Sequence, residues 1–412
     1  MQSDYVVVGS GLSGAVIARG LADAGERVVV LERRPRMGGN VADMLHPSGI
    51  CVHRYGPHLF RTVSDKVWQF VNRFAEFHDY KHRIRSLVDG KMENWPIAGS
   101  YIRRLGGTAS PAAGGTASPA AGGTASPAAG GTASPAAGGT ASPAAGGTAS
   151  PAAGGTASPA AGGTKPQNFE EAALGLMPEP VYRKFVKGYT EKQWGVPARE
   201  LSASLCRRFD VREDDNPYLT PNAKYQGIPT EGYSRMVERM LEGIPVVLNF
   251  DYLRDRDAFR AKKRLIYTGP IDEFFDFELG KLHYRGQRRL HTYLPNVDCL
   301  QPCAQINDPG KRPHIRDVEW KHLAPPRAMR RLRGTVITRE TPFTPENPED
   351  YEYPFPDNRN RRLYDRYAAM AAAEPGVAMV GRLAEYRYYD MDHAIGNALS
   401  FVRKMKDGRM AA

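Results

Sequence analysis

The sequence predicts an α/β protein, and three observations carry that reading. An apolar run over residues 5–8 ends in a glycine turn, helical spacing follows through Ala24, and a second apolar run covers 28–31, which is the order of a βαβ unit. Near the other end, a helix over 363–373 is followed by a strand over 377–380, Gly381 and a final helix over about 393–406, a pattern suited to a chain that returns to its first sheet. Between these ends, short strands at 246–248, 265–267 and 335–338 alternate with turns, while 168–194 has helical composition and 201–209 continues it.

At 412 residues, with 41% apolar and 25% charged side chains, the chain is long enough for two or three domains and falls outside the disordered and fibrous classes. The formal charge of +11 is scattered along the sequence without a nucleic-acid motif, so the expected anionic partner is a small polyphosphate-bearing molecule and not nucleic acid. The first residues lack a basic n-region and an apolar h-region, and no apolar stretch is long enough to span a bilayer; a cytoplasmic protein with no membrane partner is expected. Cys51, Cys206, Cys299 and Cys303 would then stay reduced. Cys299 and Cys303 with His291 lack a second ligand pair, so no metal site is expected. Residues 106–164 repeat GGTASPAA seven times and then begin again as GGT. The unit holds nothing that stacking could bury to offset the entropy of ordering, and a disordered linker is the expectation.

Chemistry enters with Gly9, Gly11 and Gly14, a G-x-G-x-x-G placed after a strand and at the opening of a helix, with Glu32 at the end of the next strand. The first glycine permits the turn, the second lets a pyrophosphate approach the backbone, the third lets helix and strand pack, and Glu32 is placed to accept from an adenosine ribose. Glu32, Arg33 and Arg34, followed by Gly38, Gly39 and Asn40, resemble the extended signature of FAD-binding flavoproteins. No second G-x-G-x-x-G is present for NADPH, so the flavin is expected to take its electrons from an external reductant.

Five further segments, YGPHLF at 55–60, KGYTEKQWG at 187–195, KYQGIP at 224–229, YTGPID at 267–272 and GRLAEYRYYDM at 381–391, occur in the order found in the UDP-galactopyranose mutase family, and the chain resembles that family over nearly its whole length outside the repeat. The resemblance implies an FAD-binding Rossmann-like domain with an inserted helical domain and an antiparallel β-sheet domain. It divides the chain into 1–90 for the first part of the FAD domain, 91–105 and 165–215 for the helical domain, 216–355 for the antiparallel sheet with return segments, and 356–412 for the rest of the FAD domain. It also implies a homodimeric isomerase that interconverts the pyranose and furanose forms of UDP-galactose. In that chemistry the N5 of reduced FAD attacks the anomeric carbon and displaces the nucleotide diphosphate, and the flavin–sugar adduct opens and recloses through a different hydroxyl.

By position in the family's pattern, Arg208 and Arg316 would hold the departing diphosphate and His58 would lie beside the isoalloxazine. Tyr218, Tyr353 and Tyr388 match tyrosines that donate hydrogen bonds to the diphosphate, Asp390 matches a carboxylate beside them, and Tyr189 and Trp194 match aromatic residues near nucleotide and sugar. Arg382 matches a flavin contact, and Asp390 and Met391 close the cofactor segment. Three positions depart from the pattern: Arg61 stands where a histidine is usual, Asn94 keeps the first asparagine of a cleft element while Ala98 replaces the second, and Val186 occupies a position commonly aromatic. These changes leave a thymidine- or other nucleoside-diphosphate hexose, with a deoxygenated sugar included, as the alternative substrate. A flavin oxidase acting on an amine or a carbon–carbon bond, and a non-catalytic nucleotide-sugar binder, share much of the same signature and stay open.

Overall fold

The computed structural model describes residues 2–105, 165–209 and 211–408, without the side chains of Gln2 and Arg208. The repeat over 106–164, expected to be a disordered linker, lies outside the described residues.

Five strands, most of them valine-rich and the fourth apolar only over its buried end at Leu265–Tyr267, form a parallel sheet in the order Val246–Val247, Val28–Leu31, Gln2–Val8, Arg260–Tyr267, Val377–Met379. The interior strand Val28–Leu31, buried at every position, is covered on both faces, which is why it reads as an unbroken apolar run instead of an alternating one. One face carries helix Leu12–Ala22 and helix Met391–Lys406, whose Val16, Ile17, Leu21, Ile395, Ala398 and Val402 share a single core. The return of the chain's end to its first sheet is thus observed. On the other face Tyr252 and Phe274 pack in one cluster with Leu265 and Tyr267 of the sheet.

A second, mixed sheet has the order Tyr353–Pro354, Tyr284–Leu294, Thr335–Phe343, Arg316–Glu319, Gln305–Asn307, Ile84–Val88, Lys91–Trp95. All its pairings are antiparallel except Gln305–Asn307 with Ile84–Val88. Its edge hairpin turns at Asp89 and Gly90, with φ of 50° and 77°, the two positive values a two-residue turn of this twist requires. The 216–355 segment therefore feeds both sheets, and the hairpin around residue 90 belongs wholly to the second.

Several elements run longer than their sequence pattern. The strand begun at Thr335 extends to Phe343 because it pairs throughout with Tyr284–Leu294. The helix expected from 363 begins at Asn358, since Asp357 caps it by accepting from the Asn360 amide at 2.6 Å. A helical layer, Gly99–Arg104, Phe169–Leu176, Glu179–Val181 and Gly188–Trp194, closes over its own core of Ile102, Phe169, Tyr182, Phe185 and Val186. Asn168 caps Phe169–Leu176 by accepting from the Glu171 amide at 3.0 Å. The segment 201–209 forms the tighter 3₁₀-helix Ala203–Arg208 and not a regular α-helix.

Candidate active site

A cavity of about 470 Å³ runs from the carboxyl ends of the parallel strands to the face of the second sheet. At its first end the backbone does most of the shaping. Gly9 has φ of 101°, and the Thr268 hydroxyl, which donates to the Val8 carbonyl at 2.8 Å, occupies the space a side chain would need. Gly14 rests on the Gly9 carbonyl, so any Cβ there would push helix from strand; it does not itself border the cavity. Gly11 and Gly39 do, and they touch so closely that a Cβ on Gly39 would come within 2.8 Å of the Gly11 Cα. This leaves bare backbone facing the cavity at the amino end of helix Leu12–Ala22, the setting in which phosphates bind.

The buried Glu32 carboxylate accepts from the Ser10 amide at 2.9 Å, the Ser10 hydroxyl at 2.6 Å and the Arg34 amide at 3.0 Å. Arg33 is committed to Glu273 through two bonds of 2.7 and 2.9 Å. Asn40 accepts from Arg34 at 2.9 Å and donates to the Tyr351 carbonyl at 3.1 Å, tying this loop to the entrance of the strand at Tyr353. Met391 and Asp390 border the cavity where the last helix begins, and Asp390 pairs with Arg61.

The other end is built from side chains. Glu340, fully buried, receives Arg316 at 2.6 Å and Arg289 at 3.2 Å, while Arg289 also meets Glu352 at 2.7 Å. Burial favours the neutral acid at Glu340, yet Arg316 and Arg289 outweigh it and hold the carboxyl below its usual range. Burial likewise opposes charge on Arg316, and Glu340 more than restores it. Glu352, with a single arginine, is pushed up by burial. Arg382 donates to the Glu352 carbonyl at 2.7 Å and lies 5.7 and 5.6 Å from the ring centres of Tyr353 and Tyr388, which stack on each other at 5.4 Å. Arg316, Arg382, Tyr189, Trp194, Tyr353, Tyr388 and His58 all border the cavity. The pKa of His58 is held well below the usual histidine value by burial, the neighbouring His53 and the Arg382 charge, so its ring is neutral; its Nδ1 is buried without a partner.

Three expected substrate contacts do not border the cavity. Val186 is wholly buried in the helical core. Asn94 lies on the edge strand opposite Arg85, one residue before cavity-lining Trp95. Tyr218 bridges to Arg83, one residue before cavity-lining Leu219. The side chain of Arg208 lies outside the described residues. Conversely, Arg289, Glu340, Glu352, His82 and Thr190 emerge only from the structure. Arg289 was legible in principle, since Arg289, His291 and Tyr293 share one face of a strand by period two, but nothing in the sequence announces that Glu340 faces them.

Fold and cavity together define a Rossmann-like dinucleotide-binding protein with a second, charge-lined compartment. Residues 7–74 match the NAD(P)-binding Rossmann-like domain model, and residues 184–388 match the UDP-galactopyranose mutase model. A probable UDP-galactopyranose mutase of Klebsiella pneumoniae is 33% identical over 96% of this chain and 93% of its own length. A dTDP-fucopyranose mutase of Escherichia coli is 29% identical over 96% of both. Among solved structures, reduced UDP-galactopyranose mutase superposes with a TM-score of 0.67 at 14% identity, covering 100% of this chain and 96% of the other. The chain belongs to the UDP-galactopyranose mutase family. Among the described residues no helix is long and apolar enough to cross a membrane.

Proposed function

We propose that this protein is a flavin-dependent isomerase that interconverts the pyranose and furanose forms of a nucleotide-diphosphate sugar, with UDP-galactose as the first substrate to test. The observation that carries the reading is the continuity of one cavity from a backbone phosphate cradle to a compartment of arginine and tyrosine. The residues at the first end fit FAD: Gly9, Gly11 and Gly39 leave room for its pyrophosphate, and the Glu32 carboxylate stands where a ribose would donate. Bound and reduced, FAD supplies the ring nucleophile that exchange at an anomeric carbon needs.

The chain's own residues then have defined work. Arg316 binds the diphosphate and holds it as negative charge grows on its departing oxygen; Glu340 fixes the guanidinium and keeps it charged. Arg208 is assigned as the second diphosphate arginine on the strength of the family's pattern. Tyr353 and Tyr388 donate hydroxyls toward the same group, and stacking fixes their directions. Arg382, anchored on the Glu352 carbonyl, and neutral His58 border the place for the flavin ring, where His58 can share a hydrogen bond without adding charge. Trp194 and Tyr189 wall the compartment and limit water. The enzyme in this reading is cytoplasmic, is a homodimer as the family resemblance implies, and is fed by an external reductant because the sequence carries no second dinucleotide fingerprint.

A second substrate is favoured by one specific similarity. The dTDP-fucopyranose mutase aligns over as much of the chain as the galactopyranose enzymes do, and Arg61, paired with Asp390 at the cavity wall, departs from the family's usual histidine. Purified holoenzyme reduced with dithionite and offered UDP-galactopyranose, UDP-galactofuranose and the dTDP-fucose pair decides between them, with products separated by chromatography and identified by NMR. Conversion of neither pair by enzyme whose flavin is verified as bound and reduced would refute the proposal.

A further inference from the structure

The sequence scatters its cations, but the fold gathers one group of them. Arg327, Arg330, Arg331 and Arg333 fall within seven residues and are all exposed. Their loop joins the 46–49 turn: Leu332 packs over Gly49, the Tyr293 hydroxyl donates to the Arg333 carbonyl at 3.2 Å, and the Tyr293 and His46 rings lie 5.2 Å apart. Arg36 and Arg54 lie together at the open end of the hairpin that this turn closes, where the Arg54 amide donates to the Ala42 carbonyl at 3.0 Å, and both Arg54 and His46 act on the same His291 ring. The Nε atoms of Arg36 and Arg54 are buried without a hydrogen-bond partner, and the Arg54 guanidinium is pulled below its ordinary value by burial and by the nearby Arg36 charge. Among the described residues none of these six arginines makes an ion pair.

The acids that could neutralise them are missing from the sequence as well. Residues 33–42, 44–55, 284–297 and 320–335, which build this face, contain no Asp or Glu. The bordering acids Glu32, Asp43, Asp298 and Glu319 are already engaged: Glu32 by the Ser10 and Arg34 amides, Asp43 by the Tyr233 and Ser234 amides, Glu319 by the Leu300 and Gln301 amides and the Thr335 hydroxyl, and the exposed Asp298 by Lys321. An uncompensated positive face of this kind, with the apolar Leu45 74% exposed and Tyr293 37% exposed among the cations, has the make-up of a protein-docking surface steered by charge. It also has an address. Arg54 directly precedes Tyr55, which borders the cavity and lies under the guanidinium groups of Arg34 at 4.8 Å and Arg289 at 5.9 Å.

We propose that this arginine face, Arg36, Arg54, Arg327, Arg330, Arg331 and Arg333, docks a small acidic electron-carrier protein that reduces the bound flavin. The inference rests on the flavin reading above and supplies the partner that reading lacks, because no second dinucleotide fingerprint is present for an internal hydride source. The step balances simply: two molecules of reduced carrier each surrender one electron, and one proton enters from solvent, converting oxidised isoalloxazine to its anionic reduced form. The cations act on encounter and orientation, and the Tyr55 end of the cavity receives the electrons.

The test uses FAD-loaded full-length protein and a reduced bacterial flavodoxin as the probe, mixed anaerobically while flavin absorbance is followed. The variant Arg330→Glu/Arg331→Glu/Arg333→Glu changes only exposed side chains outside the cavity, and Arg54→Gln is the second variant. Charge reversal is expected to slow flavodoxin-driven bleaching by at least about tenfold at low salt and to flatten its dependence on ionic strength. Its anisotropy-measured affinity for oxidised, labelled flavodoxin should fall in parallel. Dithionite should bleach all variants at the wild-type rate, and the dithionite-reduced variants should isomerise normally. Equal rates and affinities in wild type and both variants would overturn the docking proposal, as would variants that lose only binding to anionic phospholipid vesicles. Failure of dithionite-reduced wild type to isomerise any nucleotide sugar would instead sink the underlying reading, so the two failures are distinguishable.

Discussion

The two ends of the cavity are built by opposite means. The dinucleotide end is a backbone surface: Gly9, Gly11 and Gly39 shape it by lacking side chains, and the strand ends behind it, Val6–Val7, Val28–Leu31 and Leu265–Tyr267, are buried apolar runs. The sugar end is a side-chain surface, in which Arg289, Arg316, Glu340 and Glu352 are held by one another across strands far apart in sequence. The first kind of surface tolerates few residue types and little error in position. The second depends on every charge having its partner, so its failures should be larger and more selective.

The largest expected effect is therefore at Glu340. Replacing it with Ala removes the buried anion shared by Arg316 and Arg289 and leaves Arg316 without its carboxylate, a change expected to cost about 3–5 kcal/mol of folding stability. Urea unfolding measures it; a loss below about 1 kcal/mol would mean that water already screens this pair and that the sugar end is no network.

That same contrast governs what could be read beforehand. The βαβ unit, the glycine fingerprint and the late strand-helix return are local patterns, and each appears where periodicity placed it. The extent of the strand from Thr335 to Phe343 was hidden, because its second half, Arg339 to Phe343, carries no apolar alternation and is a strand only by virtue of its partner. Of the sugar end, Arg316, Tyr353 and Tyr388 were named through family resemblance, whereas Glu340 and Arg289 were not. A carboxylate that neutralises a distant arginine leaves no trace in its own neighbourhood of sequence. Trp95 and Leu219 show the finer limit: resemblance picked out Asn94 and Tyr218, one residue away from those that border the cavity.

Acid titration should separate the two ends by sign. His53, buried behind the His58 wall, has its pKa lowered from 6.5 to about 4, chiefly by burial. Its contribution is complete above pH 6.5 and disappears as pH falls toward 4, a loss of about 3 kcal/mol at roughly 1.4 kcal/mol per unit. Asp272, buried at the end of the parallel sheet, runs the other way: burial raises it from 3.8 to about 6, so its favourable protonated form is lost as pH rises through that interval. Asp272→Asn should accordingly gain stability over wild type progressively between pH 4 and 6 and none below. His53→Gln should lose most at neutral pH and approach wild type near pH 4. Parallel curves for both variants would remove the assigned cause.

In kinetics, Arg316→Ala should lower turnover by more than about tenfold, at least about 1.4 kcal/mol of barrier, as expected for a cation that meets charge developing on a leaving group. Arg316→Lys should recover only part of it, because an ammonium cannot meet Glu340 and a diphosphate with a planar fork. An unchanged turnover with a raised KM would reassign Arg316 to ground-state binding.

The smallest effect separates a structural hydroxyl from a functional one. Thr190 borders the cavity, is 3% exposed, and its Oγ1 is buried without a partner. A hydroxyl left unsatisfied in the empty protein costs stability unless something arrives to pair with it. Thr190→Val keeps the shape and deletes the hydroxyl, so the free protein should become more stable by up to about 1 kcal/mol while the nucleotide sugar binds roughly threefold to tenfold more weakly. Calorimetry on both forms reads both changes. Gained stability with undiminished binding would place the ligand elsewhere in the compartment, and lost stability would show that the hydroxyl is already satisfied within the fold.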